Sequence, residues 1–260
     1  MTLKIYRTQI MHKILLISLA LTIVSFAAPT QCPKFYIDGE APTILNEKLI
    51  PKTKELCSEA YGIMHSGISK TPLWSAEYIT REAIDVKLPR KDAFREDTRL
   101  PQNERAELKD YAKSGYDRGH MSPSADFGTA NAQEESFLLS NMIPQDHHNN
   151  TGLWSSIESA TRYLAKNEGS LYVITGPIYK GSIKSIGNGV LVPTMVYKII
   201  YSPKQKKASA YLVNNAPGKE YQVITIAELE TLTGINFFPK MNETQKAQKL
   251  SLPEPKPHKN

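Results

Sequence analysis

Residues 116–125 read Tyr-Asp-Arg-Gly-His-Met-Ser-Pro-Ser-Ala, and residues 139–158 read Leu-Ser-Asn-Met-Ile-Pro-Gln-Asp-His-His-Asn-Asn-Thr-Gly-Leu-Trp-Ser-Ser-Ile-Glu. The first stretch is read as a strand, Tyr116 to His120, entering a turn. The second continues a strand over Phe137–Ile143, stopped by Pro144, and then opens a helix at Asn149-Asn150-Thr151 with asparagine at the cap. Leu153, Ile157, Ala160 and Leu164 form the buried stripe of that helix. Asn150, Trp154, Glu158 and Arg162 recur every fourth residue on a neighbouring stripe. The order strand, loop, strand, helix brings an imidazole and an amide oxygen toward one place.

The residue types suit one chemistry. Arg118 and His120 put a cation and an imidazole two residues apart, with Gly119 between them to permit an unusual backbone. A phosphodiester-cleaving site needs a cation for the phosphate oxygens and a base near neutral pH to deprotonate water. Asn150, at a helix start, can offer its amide oxygen to a hard cation. Mg²⁺ takes oxygen ligands and keeps several waters, so one neutral protein ligand suffices when substrate phosphate completes the shell. Glu158, two turns on, can hold a water of that shell, and Arg162 can pair with Glu158 or reach a phosphate. Taken singly, each residue also has a plain structural reading: a helix cap for Asn150, a surface pair for Glu158 and Arg162.

Working outward, Lys52–Ser66 reads as a short helix with Leu56, Ala60 and Ile63 on one face, and Leu73–Ile79 as a strand. Lys87–Lys113 is charged enough for an exposed loop carrying a short helix around Asn103–Lys109. Leu171–Gly176 is an apolar strand expected at the centre of a sheet. Leu191–Tyr201 and Ala208–Val213 flank a basic hairpin tip, and Thr225–Leu232 reads as a helix. The last 20 residues are rich in Lys, Gln and Pro and are expected to be disordered.

Two separated blocks in order carry a resemblance: Asp117-Arg118-Gly119-His120-Met121 with Ala125, then Leu139–Gln145 with Asn150, Trp154 and Glu158. It extends through Tyr172–Pro177 and Val192-Pro193-Thr194, over roughly residues 74–235. The chain resembles the DNA/RNA non-specific endonucleases, the ββα-metal family that includes endonuclease G. The resemblance implies an α+β fold, with a central antiparallel sheet flanked by helices and a ββα-metal motif at the active site. It implies His120 as general base, Asn150 as the sole direct protein ligand of Mg²⁺ (with Mn²⁺ as a substitute), and Glu158 as the residue orienting a water of the ion. Asn141 matches a supporting amide, Arg118 a motif arginine for phosphate contact or scaffolding, and Arg162 a phosphate-side arginine. For an upstream arginine that offsets charge on the pentacovalent phosphate, Arg90 and Arg95 both qualify, with Arg90 preferred. His147 and His148 between the blocks depart from the pattern. The implied substrate is DNA, RNA or both, held through the phosphate backbone with little sequence preference, and the implied products are 5′-phosphorylated. The competing class is a secreted nucleic-acid-binding protein that has lost catalysis. A serine hydrolase is disfavoured, since no Gly-x-Ser-x-Gly stretch occurs.

The ends of the chain supply the remaining bounds. Lys4, Arg7 and Lys13 precede an apolar run from Ile14 to Phe26, which is short for a membrane span. Residues 1–27 are read as a Sec-type signal peptide, with Met11 as an alternative start and an uncleaved anchor as the rival reading. The mature protein is then periplasmic or secreted, without stable membrane association. Residues 28–239 form the enzymatic domain and 240–260 a basic tail. The net charge is +6, yet residues 28–239 hold 24 cations against 24 acids, so bulk charge carries no argument for nucleic acid. Cys32 and Cys57, the only cysteines, are expected to form one disulfide in an exported chain. Oligomeric state is not legible.

Overall fold

Alternating and continuous apolar runs build one seven-stranded antiparallel sheet. The computed structural model describes residues 29–256. The sheet strands are β1 (Thr53–Cys57), β2 (Tyr61–Ser66) and β3 (Thr71–Thr80), followed after the site hairpin β4 (Asp117–His120) and β5 (Met142–Gln145) by β6 (Ser170–Ile178), β7 (Met195–Ser202), β8 (Lys207–Asn214) and β9 (Tyr221–Ile224). The spatial order is β9-β8-β7-β6-β3-β2-β1, every neighbour antiparallel, with β4 and β5 paired only with each other. The strand over Leu171–Gly176 is central, as its apolar run implies. Both sheet faces are covered, which is why the middle strands are mostly apolar on both faces rather than alternating, with a few buried polar side chains among them. Trp74, Ile174, Tyr197, Ile199 and Leu212 pack on one face with Ile226, Leu229 and Phe237 from the helix Ile226–Thr233 and the segment after it. Ile79, Val173, Val196, Ile200 and Tyr211 pack on the other with Met121, Ile143, Trp154 and Ile157. The second face carries the hairpin β4–β5 and the long helix after it.

Three local expectations are corrected. Lys52–Ser66 is not a helix but the hairpin β1–β2. Leu56 and Ile63, seven apart, mimic one helical face. They are in fact cross-strand partners, in a register closed by the turn bond from Ser58 N to Tyr61 O at 2.9 Å. Phe137–Ile143 is not a continuous strand: Phe137 caps the helix Ala130–Ser136, Leu139–Asn141 is a 3-10 turn, and pairing starts at Met142. Beyond that pairing the side chain of Asn141, rather than a strand ladder, bonds the backbone N–H and C=O of Ser122.

The third concerns the tail. Residues 240–256 are ordered against the body, contrary to the expected disorder. The helix Glu243–Ala247 is capped by Asn242. Lys246 is buried and donates to Glu230 Oε2 and Asn236 Oδ1, each at 2.9 Å. Leu250 is buried, and its N–H reaches Ala208 O at 3.2 Å. Strand β9 covers only Ala210–Val213 of β8, so the tail satisfies the edge that β9 leaves open. A lysine-rich composition hid a paired lysine and an apolar anchor. Lys87–Lys113 is mostly irregular, with a 3-10 turn at Gln102–Glu104 and a short helix at Leu108–Tyr111, yet Asp97 and Asp110 within it are buried. The signal-peptide reading falls on residues outside the described ones.

Cys32 and Cys57 are joined in a disulfide that ties the segment before the sheet to the end of β1. The bridge closes a loop across 25 positions, so reduction should lower stability by about 3 kcal/mol through loop entropy. Urea unfolding with and without reductant measures this. Activity of the folded fraction should persist, because neither cysteine lines the cleft described next.

Candidate active site

The site is built on a ribbon of two four-residue strands and one helix. In β4 successive side chains alternate, so Arg118 and His120 share one face and Asp117 and Gly119 the other. Gly119 is in ordinary strand conformation, with no positive φ, so the expected unusual backbone is absent. Its glycine is required by packing instead: a Cβ there would overlap the side-chain amide oxygen of Gln145 on β5. Gln145 in turn donates to Asn149 Oδ1 at 2.8 Å, and Asn149 donates to Asn214 O at 3.2 Å. The ribbon and the start of the helix are thereby fixed to β8.

His120 ends β4 and is buried at 8% exposure, its ring 5.1 Å from the Phe137 ring and 5.7 Å from that of Phe94. Its Nε2 has no hydrogen-bond partner among the described residues. Burial, reinforced by the Arg90 guanidinium and opposed by Asp92, pushes the imidazole down from 6.5 to about 3, so the ring is neutral at pH 7. The chain just beyond it is clamped by Asn141, which is fully buried. Asn141 Oδ1 accepts from Ser122 N at 3.0 Å, and Nδ2 donates to Ser122 O at 2.8 Å and Ser136 O at 3.0 Å.

Asn150 does not cap the helix. Asp146 does, accepting from Asn149 N at 2.9 Å. The helix runs from His147 through a π-helical turn, Asn150–Trp154, to Glu168. The π turn, a feature frequent at functional sites, carries Asn150. Asn150 Nδ2 donates to Asp117 Oδ2 at 2.9 Å, which directs the opposite amide atom, Oδ1, away from Asp117. His147 Nδ1 also meets Asp117 Oδ2 at 3.0 Å. Asp117, Arg118, Asn150, Arg90, Phe94, Tyr111 and Tyr116 line one cleft of about 350 Å³. Arg118 lies on its wall with the guanidinium 4.3 Å from the Phe94 ring. A free amide oxygen beside a carboxylate, facing a polar cleft, is a donor set that fits a hard divalent cation.

Of the two upstream arginines, Arg90 lines the cleft, 5.4 Å from the Phe137 ring and tethered by Asp92. Arg95 turns away to Glu134, donating to its backbone oxygen at 3.0 Å. Glu158 is half-buried, and burial raises its carboxyl above the usual range while Arg162 and Lys198 oppose this. Arg162 is not paired with Glu158 by hydrogen bond. It donates to Asp126 Oδ1 at 2.9 Å and Ser159 Oγ at 3.1 Å, and lines an adjoining cleft with Ser124, Tyr163 and Lys166. The structure thus gathers His120, Arg118, Arg90 and Asn150 around one cleft and its Phe94 wall, with Asn141 beneath and Glu158 and Arg162 behind. Sequence reasoning passed over Asp117, although it sits in the motif itself, and the aromatic wall of Phe94 and Phe137. His147, one of two histidines left open, is the partner of Asp117, and His148 stacks against it at 5.7 Å.

A four-residue hairpin feeding a helix, with an imidazole and an amide oxygen at its mouth, defines the class of ββα nucleases. The comparisons place the chain within it. Residues 41–244 match the family model for DNA/RNA non-specific endonucleases, and the chain belongs to that family. It is 33% identical over 199 residues to a mitochondrial nuclease EXOG of Danio rerio, covering 68% of this chain and 58% of that protein. It is 31% identical over 207 residues to nuclease C1 of Cunninghamella echinulata var. echinulata, covering 71% and 82%. The fold superposes on a chain in the crystal structure of the EndoG/EndoGI complex with a TM-score of 0.68 and 26% identity, over 85% of this chain and 96% of that one. The chain spans about three fifths of the EXOG relatives it matches.

Because His120 is neutral when folded but titrates at 6.5 when unfolded, the unfolded state binds the extra proton between about pH 3 and 6.5. The stability that this ring contributes is constant above pH 6.5 and is lost as pH falls toward 3. The unfolding free energy of wild type minus that of His120→Gln should show this slope by chemical denaturation. A difference independent of pH would contradict the burial of a neutral ring.

Proposed function

We propose that this protein is an exported, divalent-metal-dependent endonuclease that hydrolyses phosphodiester bonds of DNA, RNA or both with little sequence preference. The observation that carries the reading is the buried, neutral, unpartnered Nε2 of His120 against the wall of a cleft lined by two arginines and the Asn150 amide. His120 takes a proton from water, and the oxygen attacks phosphorus in line. The P–O3′ bond breaks, leaving a 5′-phosphate on one product, and the departing 3′-oxygen takes a proton from water to become the 3′-hydroxyl of the other. Arg90 and Arg118 offer guanidinium donors to the phosphate oxygens as negative charge grows. Asn150 Oδ1 would hold Mg²⁺, or Mn²⁺ in its place, with Asp117 fixing that amide, and the bound ion would supply charge neutralisation for the phosphodiester as it is cleaved. Glu158 orients water at the inner edge of the cleft. All these contacts are to the backbone of the substrate, which supports weak sequence preference.

Export rests on the basic, then apolar, run at residues 4–26 and is supported by the disulfide, which belongs to oxidising compartments. Several relatives are mitochondrial by name, which speaks for those proteins' own addresses. Among the described residues no helix is long and apolar enough to cross a membrane.

Cleavage of supercoiled DNA tests the assignment. His120→Ala should lose about 10²–10⁴-fold in turnover while folding normally. EDTA should silence the wild type. Asn150→Ala should nearly abolish activity at ordinary Mg²⁺, whereas Glu158→Gln should lose less and regain part of its rate at raised metal concentration. Near-normal cleavage by folded His120→Ala, or EDTA-insensitive cleavage, would sink the reading.

A further inference from the structure

Beneath the helix His147–Glu168 lies a group of charged side chains that the hydrolysis does not use. Glu77 on β3 and Lys198 on β7 are both fully buried, at 0% exposure. Ser75 pairs with Thr175, Thr175 with Lys198, and Glu77 with Val173, so the polar residues share one face across three central strands. Lys198 Nζ donates to Thr175 Oγ1 at 2.7 Å and stands 3.5 Å from Met121 O and 5.5 Å from the centre of a Trp154 ring. Lys198 thus touches both the chain leaving His120 and the helix that carries Glu158. Neither carboxyl oxygen of Glu77 has a hydrogen-bond partner. Asp126, in the turn after β4, is buried and held by Arg162.

Five ionisable groups influence one another here: Glu77 from β3, Asp126 from the turn after β4, Glu158 and Arg162 from the helix, and Lys198 from β7. Within this enclosure three are carboxyls and two are cations, and Arg90 acts on Glu158 from the cleft side. Two carboxylates can be balanced, and a third would be a bare buried charge, which costs more than holding a proton. Asp126 is satisfied by the Arg162 guanidinium, and Glu158 is only half-buried. Glu77 has no hydrogen-bond donor among the described residues. Burial and the neighbouring Asp126 and Glu158 raise it well above the usual carboxyl range, against the pull of Lys198 and Arg162.

We propose that Glu77 is a positioning residue that holds the odd proton of this cluster, and that Lys198 and the neutral Glu77 together leave Glu158 ionised at the inner edge of the cleft. The second half rests on the role assigned to Glu158 above; the first does not. Two carboxyls in one enclosure with their affinities driven apart is the general way to keep one of them charged.

Infrared spectra of the folded protein at neutral pH decide the first half without any assay of activity. A carbonyl band of a protonated carboxylic acid should be present in wild type and lost in Glu77→Gln. That variant exchanges one neutral group for another, so its cleavage rate should stay within about twofold of wild type. Lys198→Met removes a cation from beside Glu158 and should move the acid limb of the pH–rate profile up by roughly one to three units. His120, held neutral by burial, does not set that limb. Adding Glu77→Gln to Lys198→Met should leave the moved limb where it is. No acid band, or a downward shift of the limb in Glu77→Gln alone, overturns the protonated Glu77. A band that behaves as expected with an unmoved Lys198→Met profile overturns the link to Glu158 instead. Should Lys198→Met fail to fold, the Glu77→Gln spectrum and profile still decide the proposal.

Discussion

The hydrogen bonds of the Asn141 side chain hold this site in place. A ribbon of two four-residue strands is too short to fix a side chain by its own ladder. It has no sheet neighbour, since β4 and β5 pair only with each other. Asn141 compensates by bonding both the N–H and the C=O of Ser122, two residues beyond His120. The central sheet adds a second anchor from below, where Ser75 Oγ meets Ser122 Oγ at 2.8 Å. Phe94 and Phe137 complete the enclosure by gripping the imidazole itself. Rigid support of this kind holds a buried, neutral base behind the Phe94 wall of a polar cleft.

The helix is held to the ribbon by a second polar chain. Asp146 caps it, Asn149 and Gln145 link it to the strands, and Asn215 ties Asp146 N and Pro144 O to the loop after β8. Asp117 reaches across from β4 to the Asn150 amide. Two residues of one short strand, Asp117 and His120, thus serve the two halves of the proposed chemistry. A change in the pairing of β4 and β5 would disturb the amide and the imidazole together.

Much of this was legible in the sequence, and the failures share a cause. The blocks around His120 and Asn150 are local, so their residues are adjacent in the chain and their spacing survives folding. The central strand over Leu171–Gly176 announced itself because burial on both faces makes an unbroken apolar run. The helix expected over Lys52–Ser66 failed because Leu56 and Ile63 meet by strand pairing rather than helical winding. The tail failed because Lys246 and Leu250 find partners more than ten residues away, at Glu230 and Ala208. Glu77 and Lys198 lie more than 100 positions apart in the chain, and nothing near either one marks them as neighbours of the site. Asp117 was in view, but the bond to Asn150 that gives it a role exists only after the helix folds back.

The most direct test of the account is where a metal sits. Crystals soaked in Mn²⁺ and measured at its absorption edge should show one anomalous peak in direct contact with Asn150 Oδ1, at the roughly 2 Å typical of a small hard cation. No other side chain should contact the ion, with Glu158 reached only through water. A peak seated instead between Asp117 and His147, or none within reach of Asn150, would contradict the one-ligand site.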